Sequence, residues 1–278
     1  MWNKAGMSEA PSPRLGRVLV IAGSDSGGGA GIQADIKTVA ALGGYAATAI
    51  TAVTVQNTLG VQGVHDIPAG MVEAQARAVL SDIGADAIKT GMLGGVDTVE
   101  AVARILDEAA GVPAVIDPVM IAKGGEALLH QSALAALRSL LVPRARLLTP
   151  NAPEAEALTG LTVDSEAGQR RAGEALLKAG AAAVLLKGGH VAGEKVVDLL
   201  MTAGGETRFE RERIDTRHTH GTGCTLASAC AVGLAQGMVL EDAVRRAIEY
   251  TAEAIRRAPG LGAGHGPLDH GWALRPRT

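Results

Sequence analysis

The sequence predicts a single α/β domain, a sandwich of three layers with a mainly parallel central sheet and helices on both faces. Three observations predict it. Short, continuous apolar runs alternate along the chain with stretches of helical spacing, as strands buried on both faces do. Glycine-rich or polar turns recur at the carboxyl ends of those runs, where ligands bind in open parallel sheets. No linker, repeat or low-complexity block interrupts the 278 residues. Residues 17–278 therefore read as one domain behind a polar tail, 1–16.

The elements follow in order. Residues 17–22 (RVLVIA) read as a buried strand, 23–31 as a glycine-rich turn and 32–42 as a helix. Residues 46–55 are rich in β-branched side chains, which suit a strand. Helical spacing returns over 69–83 and 97–109, with a short apolar strand at 87–90 between them. Three more short strands are expected at 114–117, 147–149 and 183–187, with helices between them. Residues 196–201 and 207–214, joined by Ala203-Gly204-Gly205, read as a hairpin at the sheet edge. Two helices, 222–236 and 240–257, precede a tail rich in Gly and Pro.

Composition narrows the function. Hydrophobic residues make up 47% and charged residues 20%, a globular balance. Aromatics are only 2%, so Ala, Val, Leu and Ile must build the core. Net charge is −3, with no basic stripe interleaved with aromatics, and a nucleic-acid partner is not expected. No apolar run approaches the ~20 residues that span a bilayer. The first residues carry Pro11 and Pro13 and lack the apolar segment of a signal peptide. Cys224 and Cys230, six apart on an expected helix, point to different faces and should not pair, which suits the cytoplasm.

Six turns gather at one expected sheet edge: 23–31, Gln56-Asn57, Lys89-Thr90-Gly91-Met92, Asp117-Pro118-Val119-Met120, Thr149-Pro150-Asn151 and Lys187-Gly188-Gly189-His190. A seventh signal, His218-Thr219-His220-Gly221-Thr222-Gly223-Cys224, precedes an Ala-rich helix. Free N–H groups at a helix start, approached through glycines, form an anion hole, and a thiol there should have a lowered pKa. A plain glycine-rich turn before a buried Cys fits the same residues. Asn151 with Glu154 three residues on reads as a capping box, and Glu154 also suits Mg²⁺. The turn at 23–31 has neither P-loop nor Rossmann spacing; it reads as a tight turn or as a backbone wall for a flat ring. Asp35, just beyond it, reads alone as a solvated helix charge. Met92 and Met120 read as core, and Lys123 as a solvated loop residue. His218 and His220 lack the further ligands that zinc would need.

Together, the ordered motifs AGSDSGGGAGIQAD, TAVTVQNT, KTGML, DPVM, TPNAPEA, KGGH and HGTGCTLA resemble the hydroxymethylpyrimidine/phosphomethylpyrimidine kinases of thiamin biosynthesis. The resemblance runs from Arg17 to the C-terminal helices. It implies a ribokinase-like fold, ATP as phosphoryl donor, Mg²⁺, and two successive phosphorylations of a small pyrimidine. It implies that Gln56 bonds the aminopyrimidine, and that Gly23, Ala30, Asp35, Met92 and Val119 line or approach the substrate. Gly221, Gly223 and Cys224 should form the anion hole, with Cys224 as base. Asp117, Asn151 and Lys187 should face ATP, and Glu154 the metal. Sugar kinases of this fold usually carry Asp where this chain has Cys224. Some pyridoxal kinases share the Cys, so pyridoxal or pyridoxamine phosphorylation is the alternative activity. A pyrimidine-binding protein without turnover is the alternative of another class. Beyond small molecules, a homodimer is the one assembly the resemblance allows for.

Overall fold

The computed structural model describes residues 14–120, 125, 128–130 and 132–275. Lys123 and residues 1–13 of the expected tail lie outside them. Nine strands form one sheet: β1 (Arg17–Ser24), β2 (Tyr45–Asn57), β3 (Gly60–Asp66), β4 (Ala87–Thr90), β5 (Ala114–Ile116), β6 (Leu147–Leu148), β7 (Ala183–Leu186), β8 (Lys195–Thr202) and β9 (Gly205–Glu212). Their order is β3-β2-β1-β4-β5-β6-β7-β8-β9. The six from β2 to β7 run parallel, and an antiparallel hairpin arm closes each edge.

Among the described residues, eight α-helices cover the sheet: α1 (Gly31–Ala41), α2 (Ala69–Asp82), α3 (Val96–Glu108), α4 (Ala133–Ala136), α5 (Ala152–Thr159), α6 (Glu166–Lys178), α7 (Thr222–Ala235) and α8 (Leu240–Arg256). Strand alternation splits the core in two. Leu19 and Ile21 of β1 face the side covered by α2 to α6, whereas Val18, Val20 and Ala22 face α1, α7 and α8. Helix α7 is apolar nearly all round because it is packed on every side. Its small side chains let α8 approach closely: a Cβ on Gly233 would lie 2.8 Å from that of Ala243. This tight packing explains how the core forms with so few aromatics. Among the described residues, no helix is long and apolar enough to cross a membrane.

Most element boundaries fall within two residues of expectation. Strand β3 was not expected, and residues 14–16 belong to the fold rather than to a loose tail. Gly16 accepts the Tyr45 amide through its carbonyl at 3.0 Å. The C-terminal segment is likewise placed. Thr58, in the turn between β2 and β3, accepts His265 N–H at 2.8 Å, and Gly266 accepts His220 N–H at 3.2 Å.

The switch of connection direction lies between β1 and β4: α1 leaves β1 on one face, and α2 and α3 flank β4 on the other. This is the point at which open α/β sheets leave a crevice beyond their strand ends. The β1–β2 register shifts between Ala22 and Ser24, where β2 carries one extra residue, just before the glycine-rich turn.

Candidate active site

A cleft of about 400 Å³ occupies that crevice. Its walls come from the ends of β1, β2, β4, β5 and β7, and from the starts of α5 and α7. Of the residues expected at a site, Gln56, Gly23, Ala30, Met92, Val119, Asp117, Asn151, Glu154, Lys187, Gly221, Gly223 and Cys224 all line it. Asp35 does not. It is fully buried on α1, and both carboxylate oxygens are bound by Lys89 of β4, 2.9 Å each. The reading of Asp35 as a solvated charge is thus overturned; the residue does not line the cleft but lies beneath it. Its side of α1 packs against α7 and the sheet, so an ion pair is its only means of carrying a charge there.

At one end, Asp25 organises the turn. Its Oδ1 accepts Gly27 N–H at 2.8 Å, and Oδ2 accepts Gly29 and Ala30 N–H at 3.0 and 2.8 Å. His220 Nε2 stands 2.8 Å from Oδ2. Burial pushes the Asp25 carboxyl up, but bonds from His220, Ala30 and Gly27 outweigh it and hold the group below its usual range. An ionised Asp25 requires the His220 Nε2 proton between them. The amide of Gln56, 3.4 Å from that same nitrogen, must then present an acceptor to it. Thr54 Oγ1 has one proton for two acceptors, Ser24 O at 2.9 Å and Gln56 Oε1 at 3.1 Å. Turning the Gln56 amide end for end lets the NH₂ group donate to Thr54, whose own proton goes to Ser24 O, and places Oε1 rather than a second N–H against the His220 Nε2–H that Asp25 accepts. Gly23 leaves room on the opposite wall, since a Cβ there would lie 2.9 Å from Met92 Sδ. Met92 and Met120 are buried as expected of core residues, and both also face the cleft.

At the other end is an acid–lysine cluster. Asp117 Oδ1 accepts Thr149 Oγ1–H at 2.9 Å and Lys187 Nζ–H at 3.0 Å, while its buried Oδ2 has no partner among the described residues. Lys187 Nζ also lies 3.6 Å from Glu154 Oε2. The capping box is present: Asn151 Oδ1 accepts Glu154 N–H at 2.9 Å, and Glu154 Oε2 accepts Asn151 N–H at 2.8 Å. Burial, with the nearby charge of Asp117, pushes the Glu154 carboxyl up to about 7 against the pull of Lys187. Burial pulls the Lys187 ammonium down, but Asp117 and Glu154 outweigh it and keep the group charged.

Between the two ends, α7 begins. Gly221 holds the left-handed φ of 85° that starts the helix. A Cβ there would meet Gly29 O at 1.8 Å, so the two glycine segments touch through bare backbone. The first-turn amides of Gly223 and Cys224 have no carbonyl behind them within the helix. The Gly31 amide at the start of α1 favours the Cys224 thiolate weakly, and both residues line the cleft. Burial nevertheless pushes the thiol up to about 12. Lys89 pulls it down, but Asp35 and Asp117 push it further. The lowered value expected of a helix-start thiol is therefore overturned: desolvation of the thiolate outweighs the helix end. His218 and His220 part company, His218 packing at Gly266 and His220 at Asp25.

Asp25, Thr54 and Lys89 were not singled out from sequence. For Asp25 a signal existed, since an Asp two residues before a glycine run is a ready acceptor for the turn's amides.

Residues 25–269 match the family model described as phosphomethylpyrimidine kinase. The chain is 52% identical over 267 residues to a hydroxymethylpyrimidine/phosphomethylpyrimidine kinase of Streptomyces coelicolor, covering 95% of this chain and 98% of that one. Among solved structures, an ADP complex of Bacillus subtilis pyridoxal kinase superposes with a TM-score of 0.87 at 38% identity, covering 95% and 100% of the two chains. A phosphomethylpyrimidine kinase of Clostridium difficile gives 0.77 at 40% identity, covering 86% and 99%.

Proposed function

Because the chain belongs to the phosphomethylpyrimidine kinase family, and so is a phosphotransferase of ribokinase-like fold, we propose that its cleft phosphorylates 4-amino-5-hydroxymethyl-2-methylpyrimidine twice, with ATP as donor. The observation that carries this reading is one cleft that brings together the free first-turn amides of α7, the Gln56 amide and the acid–lysine cluster of Asp117, Glu154 and Lys187. A flat pyrimidine fits between Met92 and the 23–31 turn with its polar edge on Gln56. The γ-phosphate then meets the amides of Gly223 and Cys224, which favour negative charge. The alternative, pyridoxal phosphorylation, draws on the close backbone match to pyridoxal kinase, yet sequence identity is 38% there against 52% to the pyrimidine kinase.

The fixed sense of Gln56 gives the first test. Its Oε1 and NH₂ offer an acceptor and a donor side by side, which matches an aminopyrimidine edge. Gln56→Leu is expected to raise the KM for the pyrimidine by at least about tenfold, as sites built on hydrogen bonds reject what leaves them unpaired. The KM for ATP should hold. Steady-state kinetics with each substrate varied decides it, and equal rises in both would remove Gln56 from the pyrimidine wall.

Mg²⁺ fits the acid–lysine cluster. Asp117 Oδ2 is a buried oxygen without a partner, and Glu154 is a second hard oxygen donor nearby. Among the described residues no group of three His, Cys, Asp or Glu would hold a metal alone. Mg²⁺ is commonly held by one or two carboxylates plus the phosphates of its nucleotide. When bound, it would neutralise charge on the transferred phosphoryl group. Asp117 and Glu154 would hold it, and Lys187 would steady the phosphates. Glu154→Gln keeps the capping bond to Asn151, so the melting temperature should barely change. The Mg²⁺ concentration for half-maximal rate should rise several-fold. A lower melting temperature with unchanged Mg²⁺ dependence would leave Glu154 as a cap and nothing more.

A further inference from the structure

One buried ion pair takes no part in the chemistry above. Lys89 of β4 and Asp35 of α1 are both 0% exposed, with Nζ 2.9 Å from each carboxylate oxygen. Ser228 of α7, also fully buried, donates its hydroxyl to Asp35 Oδ1 at 2.6 Å. Burial pulls the Lys89 ammonium down, but Asp35, Cys224 and Asp117 together outweigh it and hold the group above its usual range, while burial pushes the Asp35 carboxyl up against the pull of Lys89 and Ser228. Stability does not account for such a pair, because apolar residues of the same shape generally serve a core as well or better.

Position does account for it. Ser228 lies four residues after Cys224, on the same face of α7. Asp35 lies four residues after Gly31, which lines the cleft together with Cys224. Lys89 leads through Gly91, whose built Cβ would sit 3.0 Å from Nζ, to Met92 in the cleft wall. The pair thus ties together, one turn below the cleft, the three elements that meet at Cys224. The charged groups acting on that sulfur are Lys89, Asp35, Asp117 and Lys187, and Lys89 acts on it more strongly than Asp35.

We propose that Lys89 and Asp35 are positioning residues for phosphoryl transfer, holding the first turns of α1 and α7 in one register and placing a fixed ammonium beneath the anion hole. This rests on the kinase reading of the cleft. Misplacing a reacting group by about 1 Å costs about 10²-fold in rate, and the pair is where such a shift would begin.

The test is the double variant Lys89→Met/Asp35→Asn, which removes both charges together and leaves Ser228 an acceptor. It should melt within a few degrees of wild type. Its kcat on the hydroxymethylpyrimidine should fall by about 10²-fold, with the KM for ATP unchanged. Alkylation of Cys224 by iodoacetamide, followed by mass spectrometry without any substrate, should slow several-fold at alkaline pH, since the thiolate reacts. Cys230 is fully buried and does not compete. Wild-type kcat and alkylation in the folded double variant would overturn the proposal. Should that variant not fold, Ser228→Ala keeps the pair and cuts only its tie to α7. It should lower kcat and leave the ATP KM alone, and an unchanged kcat would equally overturn the proposal. A wild-type protein inactive on the pyrimidine would strike the kinase reading instead, while the alkylation arm would still read the pair.

Discussion

Cys224→Ala is expected to lower kcat/KM for the first phosphorylation by about 10²–10⁴-fold, the usual worth of a positioned base, and the second far less. The first acceptor is an alcohol, which must lose a proton as it attacks. The second is a phosphate monoester, already ionised near neutrality because its second pKa is about 6. The amides of Gly223 and Cys224 are backbone and survive the substitution. The thiol is pushed up to about 12 by burial, so it holds its proton in the ligand-free protein at neutral pH. Because kcat/KM reports the free enzyme, the sign is fixed: the first step should speed up about tenfold per pH unit from 7 to 9, as thiolate becomes less scarce. The second should stay flat over that range. Separate assays with the alcohol and the monophosphate, at each pH, check this. Equal losses in both steps, or an alanine variant that keeps the rise, would make the sulfur a placer of phosphate and not a base.

Gly221→Ala is expected to act on both steps alike. A left-handed φ of 85° costs a side-chain residue roughly 1–2 kcal/mol, and the new Cβ would fall 1.8 Å from Gly29 O. That carbonyl cannot retreat freely, because Gly29 N–H is held by Asp25. The start of α7 must therefore shift, and displaced anion-hole donors cost about 10²–10³-fold in kcat. Gly237→Ala is the control. It shares a φ of 85° but has nothing within 4 Å of its Cβ, so it should lose stability by thermal melting and keep its kinetics. Equal kinetics in the two variants would remove Gly221 from the site.

The layers of the fold were legible because β5, β6, β7 and most of β1 are continuous apolar runs, as strands of a sheet covered on both faces are. Strand β3 was hidden: Gly60 and Gly63 read as loop, and its pairing with β2 is a matter of contact rather than composition. The cleft was legible as a set of turns at one sheet edge. What lies beneath was not. Lys89 sits within the strand run Ala87–Thr90, where a lysine reads as a strand end, and its partner Asp35 is 54 positions away. The Cys224 thiol failed expectation for a related reason. A helix start is visible in sequence, whereas the depth of burial around it depends on α1, β4 and α7 meeting.

The bond between Asp25 and His220 spans 195 residues. Because β1 lies between β2 and β4, the glycine-rich turn has its neighbours on one side from the early chain, while its cover on the other side comes from the segment leading into α7. Contacts of such long range close late, as the loop entropy they must overcome grows with separation. During synthesis, the wall of the cleft around Asp25 therefore waits for more than half of the chain. Until His220 arrives, the turn has its three amide bonds to Asp25 but no lid of backbone against Gly29. A half-made chain thus lacks this wall of the cleft, and its completion marks the point at which folding has reached α7.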